Sequence, residues 1–171
     1  DFGNTVYEWD SMPNYISSRT SAGGINATAT LLYHVGVALD MNYSANGSGA
    51  YMLNENVTFD PSLGLSTEIA SENAIPHYFN YRWEEAALRQ EYDDSVWVEM
   101  LKETLTSGHP IPYGGFEFDE TGACISGHAF VFDGYNGAGE FHVNWGWGGS
   151  YNGWFAVCYL GEVGGEGTAV S

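Results

Sequence analysis

Gly127-His128-Ala129-Phe130-Val131-Phe132-Asp133-Gly134-Tyr135, then Asn136-Gly137-Ala138-Gly139, then Glu140-Phe141-His142-Val143-Asn144-Trp145 is the stretch that decides the fold. Its outer parts are rich in aromatic and β-branched residues, and its middle is a turn of glycine, asparagine and alanine. Two such runs around an Asn-Gly loop read as an antiparallel hairpin. If the loop pairs Tyr135 with Glu140, His128 lies opposite the Trp145–Trp147 end. A titratable ring, an amide and an indole then gather at one rim of a sheet. The register matters, because a slip of one residue turns every side chain to the other face.

Working outward, the period-two pattern begins at Ile111. Ile111 to Phe118, Gly127 to Tyr135, Glu140 to Trp145 and Trp154 to Tyr159 read as strands. Upstream the pattern is helical. Ile25 to Ala38 places Ile25, Ala29 and Leu32 on one face, and Leu31, Val35 and Ala38 on another; Gly23 and Gly24 leave its start poorly marked. A short helix is expected near Ser66 to Asn73, before Pro76. Asp93-Asp94-Ser95 caps a third through Thr106, with Trp97, Leu101 and Leu105 aligned and with Gly108 and Pro110 as the stop. Asp1 to Ser21 reads as an extended lead-in anchored by Trp9 and Met12-Pro13, and Asn42 to Tyr51 as a small-residue loop. Helices first and antiparallel strands later give an α+β fold, helical over about 25–107 and sheet over about 111–160.

The 171 residues are 44% apolar and carry a formal charge of −18. That suffices for a packed core, and so acidic a chain is unsuited to nucleic acid, where phosphates need Lys and Arg. No apolar run approaches the roughly 18 residues of a membrane span. Cys124 and Cys158, the two cysteines, match no metal spacing. Asp1, with no initiator Met or leader before it, reads as a processing site or a cut boundary.

The hairpin rim suits thiol catalysis. A free thiol is mostly protonated at neutral pH, and an imidazole beside it takes the proton. An Asn oxygen can hold that ring in the right tautomer, an indole can shield the bond from water, and glycines leave room for a substrate backbone. Other readings stand beside this one. A single histidine at a strand start is usually structural, glycine-tryptophan runs also line sugar-binding surfaces, and Asn144 fits a turn equally well.

GHAFVFDGY followed by FHVNWGWGGSYNGWF resembles the histidine region of the streptopain-like cysteine peptidases of family C10. The likeness continues upstream. Val6-Tyr7-Glu8-Trp9-Asp10-Ser11-Met12-Pro13 is similar to a family Y-x-W-x-x-(M/I)-(L/P) segment, and Leu31 to Tyr43 to its L-M-x-x-V-G-(I/V)-x-V-D-M-D-Y segment. Asn46-Gly47-Ser48-Gly49-Ala50 resembles the Gly/Ser-rich loop that follows, and Gly108-His109-Pro110 through Gly115 the approach to the histidine strand.

The resemblance implies a papain-like architecture, an antiparallel sheet with packed helices, over residues 1–171 as the C-terminal, histidine-bearing part of the domain. His128 then resembles the catalytic base, Asn144 the amide that orients it and Trp145 the indole that covers it. Trp147, Gly146, Gly148 and Gly149 would shape the substrate cleft, and Ser48 and Gly49 would border its non-prime side. In the family the nucleophile sits in a Gly-Cys-Val-Ala-(T/V)-Ala helix ahead of the Trp9 segment, so the cysteine is expected on an N-terminal chain or segment of the same precursor, not in this sequence. Aligning Ala22 with that cysteine fails, because Val35 to Tyr43 matches the later helix, which leaves His34 at a non-catalytic position. The oxyanion donors, a Gln and the Cys amide, belong to the same missing part. Cys124, four residues before His128 in one extended segment, is roughly 13 Å away. Cys158 reads as a small core residue and His142 as structural. The implied protein hydrolyses peptide bonds, uses no metal or organic cofactor, and is a bacterial, secreted or cell-surface enzyme matured from a zymogen. The alternative is a non-catalytic peptide- or glycan-binding relative.

Overall fold

The computed structural model describes residues 4–53, 70–83, 86–157 and 167–170. The chain divides into two compact units, Asp1–Trp83 and Glu84–Ser171.

The first unit holds a 3-10 turn at Trp9–Ser11, helix α1 (Ala22–Ala38), a two-stranded ribbon of β1 (Asn42–Tyr43) and β2 (Ser48–Gly49), and helix α2 (Ser71–Phe79). Helix α1 begins three residues earlier than the periodicity predicts. Ser21 is its N-cap, with the hydroxyl accepting the Gly24 amide at 3.1 Å, which satisfies an amide the helix cannot. Gly24 belongs inside the helix for a packing reason. A Cβ there would stand 3.1 Å from the Ser11 carbonyl oxygen and 3.4 Å from Pro13 Cδ, so the lead-in crosses α1 where the helix is bare. Of the expected anchors, Met12 is partly buried and Pro13 lies against Gly24, but Pro13 and Trp9 both stay exposed. Tyr7 ties the lead-in to both helices: its hydroxyl bonds His34 Nδ1 at 3.0 Å, and its ring packs on Phe79.

Helix α2 lies later than predicted, with Pro76 inside it; residues 66–69 lie outside the described residues. Its first two amides are taken by the carbonyls of Tyr51 and Met52. The nine-residue helix ends not at the proline but at Asn80, whose φ of 60° is left-handed.

In the second unit, β3 (Ala86–Leu88) leads through a 3-10 turn at Arg89–Glu91 to helix α3 (Asp94–Thr106). Strands β4 (Ile111–Phe118), β5 (Cys124–Tyr135), β6 (Phe141–Asn144), β7 (Gly153–Phe155) and β8 (Gly167–Val170) follow. The sheet order is β3-β8-β4-β5-β6-β7, all antiparallel. Ile111 and Tyr113, Phe130 and Phe132, and Phe141 and Val143 alternate onto one face. There they are buried with Trp97 and Leu101 of α3 and with Val157, as period-two strands and a helical stripe require. Asp93 sits at the N-cap position of α3 without a side-chain bond, and Gly108 (φ 88°) turns the chain out of it. Strands β3 and β8 were not expected. The fourth expected strand is shorter, and its end, with Cys158, lies outside the described residues.

The β5–β6 register explains how the rim is assembled. Val131 pairs with Asn144 and Phe132 with Val143, as the sequence pairing of Tyr135 with Glu140 predicts. Toward the loop the register shifts: Gly134 pairs with His142 and Tyr135 with Phe141, with Asp133 bulged out between. Asn136 is the cause. Its Oδ1 accepts the amides of Ala138 and Glu140, and its own amide bonds the Glu140 carbonyl. Glu140 is thereby drawn into the turn. The bulge absorbs the extra residue, so the His128 end keeps its predicted register.

Candidate active site

His128 is the fifth residue of β5, on the same face as Phe130 and Phe132. Continuing the register past Val131 and Asn144 sets Phe130 against Trp145 and His128 against Trp147. The ring contacts agree, with centroids 4.8 Å apart for Phe130 and Trp145 and 4.7 Å apart for His128 and Trp147. The Trp145 and Trp147 rings stack at 5.7 Å, and Trp145 meets Phe155 edge-on at 5.4 Å. The imidazole therefore stands where the aromatic core runs out into a half-open rim, since Trp147 is 51% exposed.

One hydrogen bond sets the state of the ring. His128 Nε2 lies 2.8 Å from the Trp145 carbonyl oxygen. A carbonyl can only accept, so Nε2 carries the hydrogen. In neutral imidazole the lone pair then falls on Nδ1, which has no hydrogen-bond partner among the described residues. A neutral histidine in this state is a proton acceptor at a defined atom.

The Trp145 carbonyl is itself held. Asn144 Oδ1 accepts the Gly146 amide at 3.0 Å, which is an Asx turn. That amide belongs to the same planar peptide unit as the Trp145 carbonyl, so the bond keeps the oxygen turned toward His128. The resemblance led us to expect Asn144 to accept from the imidazole directly. Among the described residues Asn144 and His128 share no hydrogen bond. With Gly146 at φ 76° the amide two residues on comes within reach of the Asn144 side chain, and the Trp145 carbonyl takes the ring.

The glycines make the loop possible. Gly146, Gly148 and Gly149 all have φ between 63° and 88°, the left-handed region that costs other residues energy, and Cβ atoms there would meet open space. The loop doubles back so that Asn152 Oδ1 accepts the Trp145 amide at 3.0 Å and the Tyr151 carbonyl accepts Trp145 Nε1 at 3.0 Å. Sequence reading passed over Tyr151 and Asn152. An Asn-Gly pair after a glycine run signals only a turn, and nothing in the spacing announces a bond back to position 145.

His128, Asn144, Trp145, Gly146, Trp147, Gly148 and Gly149 thus form one assembly on β5, β6 and the loop after it. Ser48 and Gly49 instead lie on β2 of the first unit, opposite Tyr43 and Asn42. His142 stands apart from the assembly. Its Nδ1 bonds the bulged Asp133 at 2.5 Å and its ring meets Trp154 edge-on. Among the described residues no three His, Cys, Asp or Glu side chains gather as metal ligands would, and no helix is long and apolar enough to cross a membrane.

Comparison with known proteins gives the same frame. The Peptidase C10 family profile matches residues 1–155. The chain is 32% identical over 160 residues to the thiol protease/hemagglutinin PrtT of Porphyromonas gingivalis, covering 93% of this chain and 16% of that protein. It is 28% identical over 167 residues to streptopain of Streptococcus pyogenes, covering 94% of this chain and 36% of streptopain. Active interpain A cysteine protease of Prevotella intermedia superimposes with a TM-score of 0.77 at 35% identity, over 99% of this chain and 65% of that one. A prointerpain A fragment gives 0.75 at 36% identity, over 100% of this chain and 49% of that one. The chain thus spans well under half the length of these curated relatives. By profile, by sequence and by its α+β fold, the chain belongs to the peptidase C10 family.

Proposed function

We propose that this chain supplies the histidine half of a thiol peptidase that hydrolyses peptide bonds, with the nucleophilic cysteine on another segment of the same precursor. The observation that carries the reading is the bond from His128 Nε2 to the Trp145 carbonyl, which leaves Nδ1 as the proton acceptor. A cysteine presented to Nδ1 gives up its proton there and becomes a thiolate. The thiolate attacks the substrate carbonyl, Nδ1–H returns the proton to the departing amine, and an acyl-thioester remains. Water, deprotonated by Nδ1, then releases the acid and regenerates the thiol. Imidazolium formed in each half-cycle keeps its Nε2–H bond to Trp145, so the ring need not turn between steps.

Cys124 does not fit the nucleophile's part. Cys124 is on the same strand as His128, four residues away, roughly 13 Å in extended backbone. Cys158 lies outside the described residues. The left-handed glycine loop supports a cleft beside His128 that a substrate backbone can enter. Maturation from a longer precursor belongs to the same proposal, and its support is the likeness to a prointerpain fragment; secretion is proposed with it. The exposed rings of Trp147 and Tyr151 favour a second reading, a non-catalytic relative that binds peptide or glycan.

The test treats the natively purified protein with a thiol-directed epoxide inhibitor and reads intact masses. A second polypeptide or segment that takes up one inhibitor is the expected result, together with a His128→Ala variant that loses turnover while still binding substrate. Absence of any labelled cysteine, with sugar or peptide binding that survives His128→Ala, would move the binding reading to the front.

A further inference from the structure

We infer that Asn152 is a positioning residue for His128, acting through the backbone of Trp145. This rests on His128 being the base, and it extends the site to a residue seven positions beyond Trp145.

Trp145 is held at three points. Its amide donates to Asn152 Oδ1 at 3.0 Å, its indole Nε1 donates to the Tyr151 carbonyl at 3.0 Å, and its carbonyl accepts from His128 Nε2 at 2.8 Å. The peptide after it is held by Asn144. Trp145 follows the last residue of β6, so the ladder no longer fixes its amide. Asn152 takes over that function from across the loop, immediately before β7 begins at Gly153.

The loop is shaped to bring Asn152 there. Four of the seven residues from Gly146 to Asn152 have left-handed backbone, and one of them, Tyr151 at φ 63°, is not a glycine. A tyrosine in that region is uncommon and is held by its surroundings. The Ser150 amide bonds the Trp147 carbonyl, and the Asn152 amide approaches the Gly149 carbonyl at 3.4 Å. The Tyr151 ring is 79% exposed. Its side chain is therefore not buried in exchange for the conformation, while its carbonyl and the next side chain both serve Trp145. Without the Asn152 acceptor, the Asn144–Trp145 and Trp145–Gly146 peptides lose one of the two clamps that aim the Trp145 oxygen at Nε2. The imidazole is then free to exchange tautomers and to tilt.

Two variants separate positioning from simple structure. Asn152→Leu removes the acceptor at similar size, and Asn152→Asp keeps an oxygen in the same place. The first readout is the ring ¹⁵N spectrum of His128 in the natively purified, histidine-labelled protein, assigned by its absence in His128→Gln. Wild type and Asn152→Asp are expected to show Nε2–H as the dominant neutral tautomer, and Asn152→Leu a mixture. The second readout is steady-state peptide hydrolysis: Asn152→Leu is expected to lower kcat about 10- to 100-fold with KM within threefold, and Asn152→Asp to restore most of it. An unchanged tautomer in Asn152→Leu overturns the inference, and so does equal loss of kcat in both variants. If His128→Gln retains peptidase turnover, the functional reading fails instead, and the tautomer spectrum still decides the role of Asn152.

Discussion

Replacing Trp145 by Phe separates what its backbone does from what its indole does. The Trp145 amide and carbonyl bond Asn152 and His128 through main-chain atoms, and both bonds are available to phenylalanine. The change removes the bond from Nε1 to the Tyr151 carbonyl. At so exposed a position water can take over, so its loss costs about 0.5 kcal/mol, the low end for a hydrogen bond. It also trims an indole that packs among Trp147, Phe130 and Phe155. Roughly 40 Å² of apolar contact at 25 cal/mol/Å² is about 1 kcal/mol, halved to about 0.5 because the side chain is only half buried. Together these give about 1 kcal/mol, or a fall in Tm of roughly 2–4 °C for a domain of this size. Turnover is expected to fall less than tenfold, since the ring keeps its acceptor and loses only part of its shield from water. Differential scanning calorimetry and steady-state peptide hydrolysis on the same preparations measure both. A loss of kcat as deep as that of His128→Ala, a general base being worth about 10²–10⁴-fold, would refute the reasoning. It would show that the indole rather than the carbonyl holds the histidine.

Three further outcomes follow from the packing and the titrating groups. Phe132→Ala empties a site that is 0% exposed and ringed by Tyr113, Phe130 and Phe141; a loss of about 3–5 kcal/mol in the denaturant midpoint analysis is expected. Ser21→Ala removes the α1 cap bond to Gly24 and is expected to cost about 1 kcal/mol by the same measurement, whereas Ser21→Asn should restore it. Burial raises the Tyr113 hydroxyl above its usual 10.0, opposed in part by the Arg89 charge and the nearby Trp97 N–H. The folded state therefore grips that proton more tightly than the unfolded one. Its contribution to stability is complete below pH 10 and is lost as pH rises through the folded value. Tyr113→Phe should flatten the alkaline limb of a plot of Tm against pH.

The sheet was legible because its signals are local. Alternation from Ile111, the Asn-Gly loop and the buried aromatic run all act within a few residues, and the structure returns β4 with its predicted bounds. What failed to show was set by distant contacts. Gly23 and Gly24 argue against a helix by propensity, yet α1 includes both, because Ser21 caps it and because Ser11 and Pro13 need the bare surface. Pro76 argues for a helix end, yet α2 passes through it because carbonyls of Tyr51 and Met52 anchor the first turn. Strands β3 and β8 are short and pair with each other across nearly half the chain. No local pattern could announce that pairing.

The rim around His128 divides in the same way. Register and alternation suffice to bring His128 against Trp147, and even the Asp133 bulge leaves that end in place. The hydrogen bonds depend on backbone direction, which residue types do not specify. From the order His, Asn, Trp, the natural inference is a side-chain amide on the imidazole, since an asparagine oxygen and a ring N–H are suitable partners. In the fold the acceptor is the next residue's carbonyl, and the asparagine holds that carbonyl's peptide from the other side. The proposed chemistry is the same either way, because either oxygen would fix Nε2 as the donor and leave Nδ1 to take the proton. What changes is where the site can be damaged. An acceptor carried by the main chain survives any side chain at position 145, and it depends instead on the groups that stop the peptide from turning: Asn144, Asn152 and the left-handed glycine at 146.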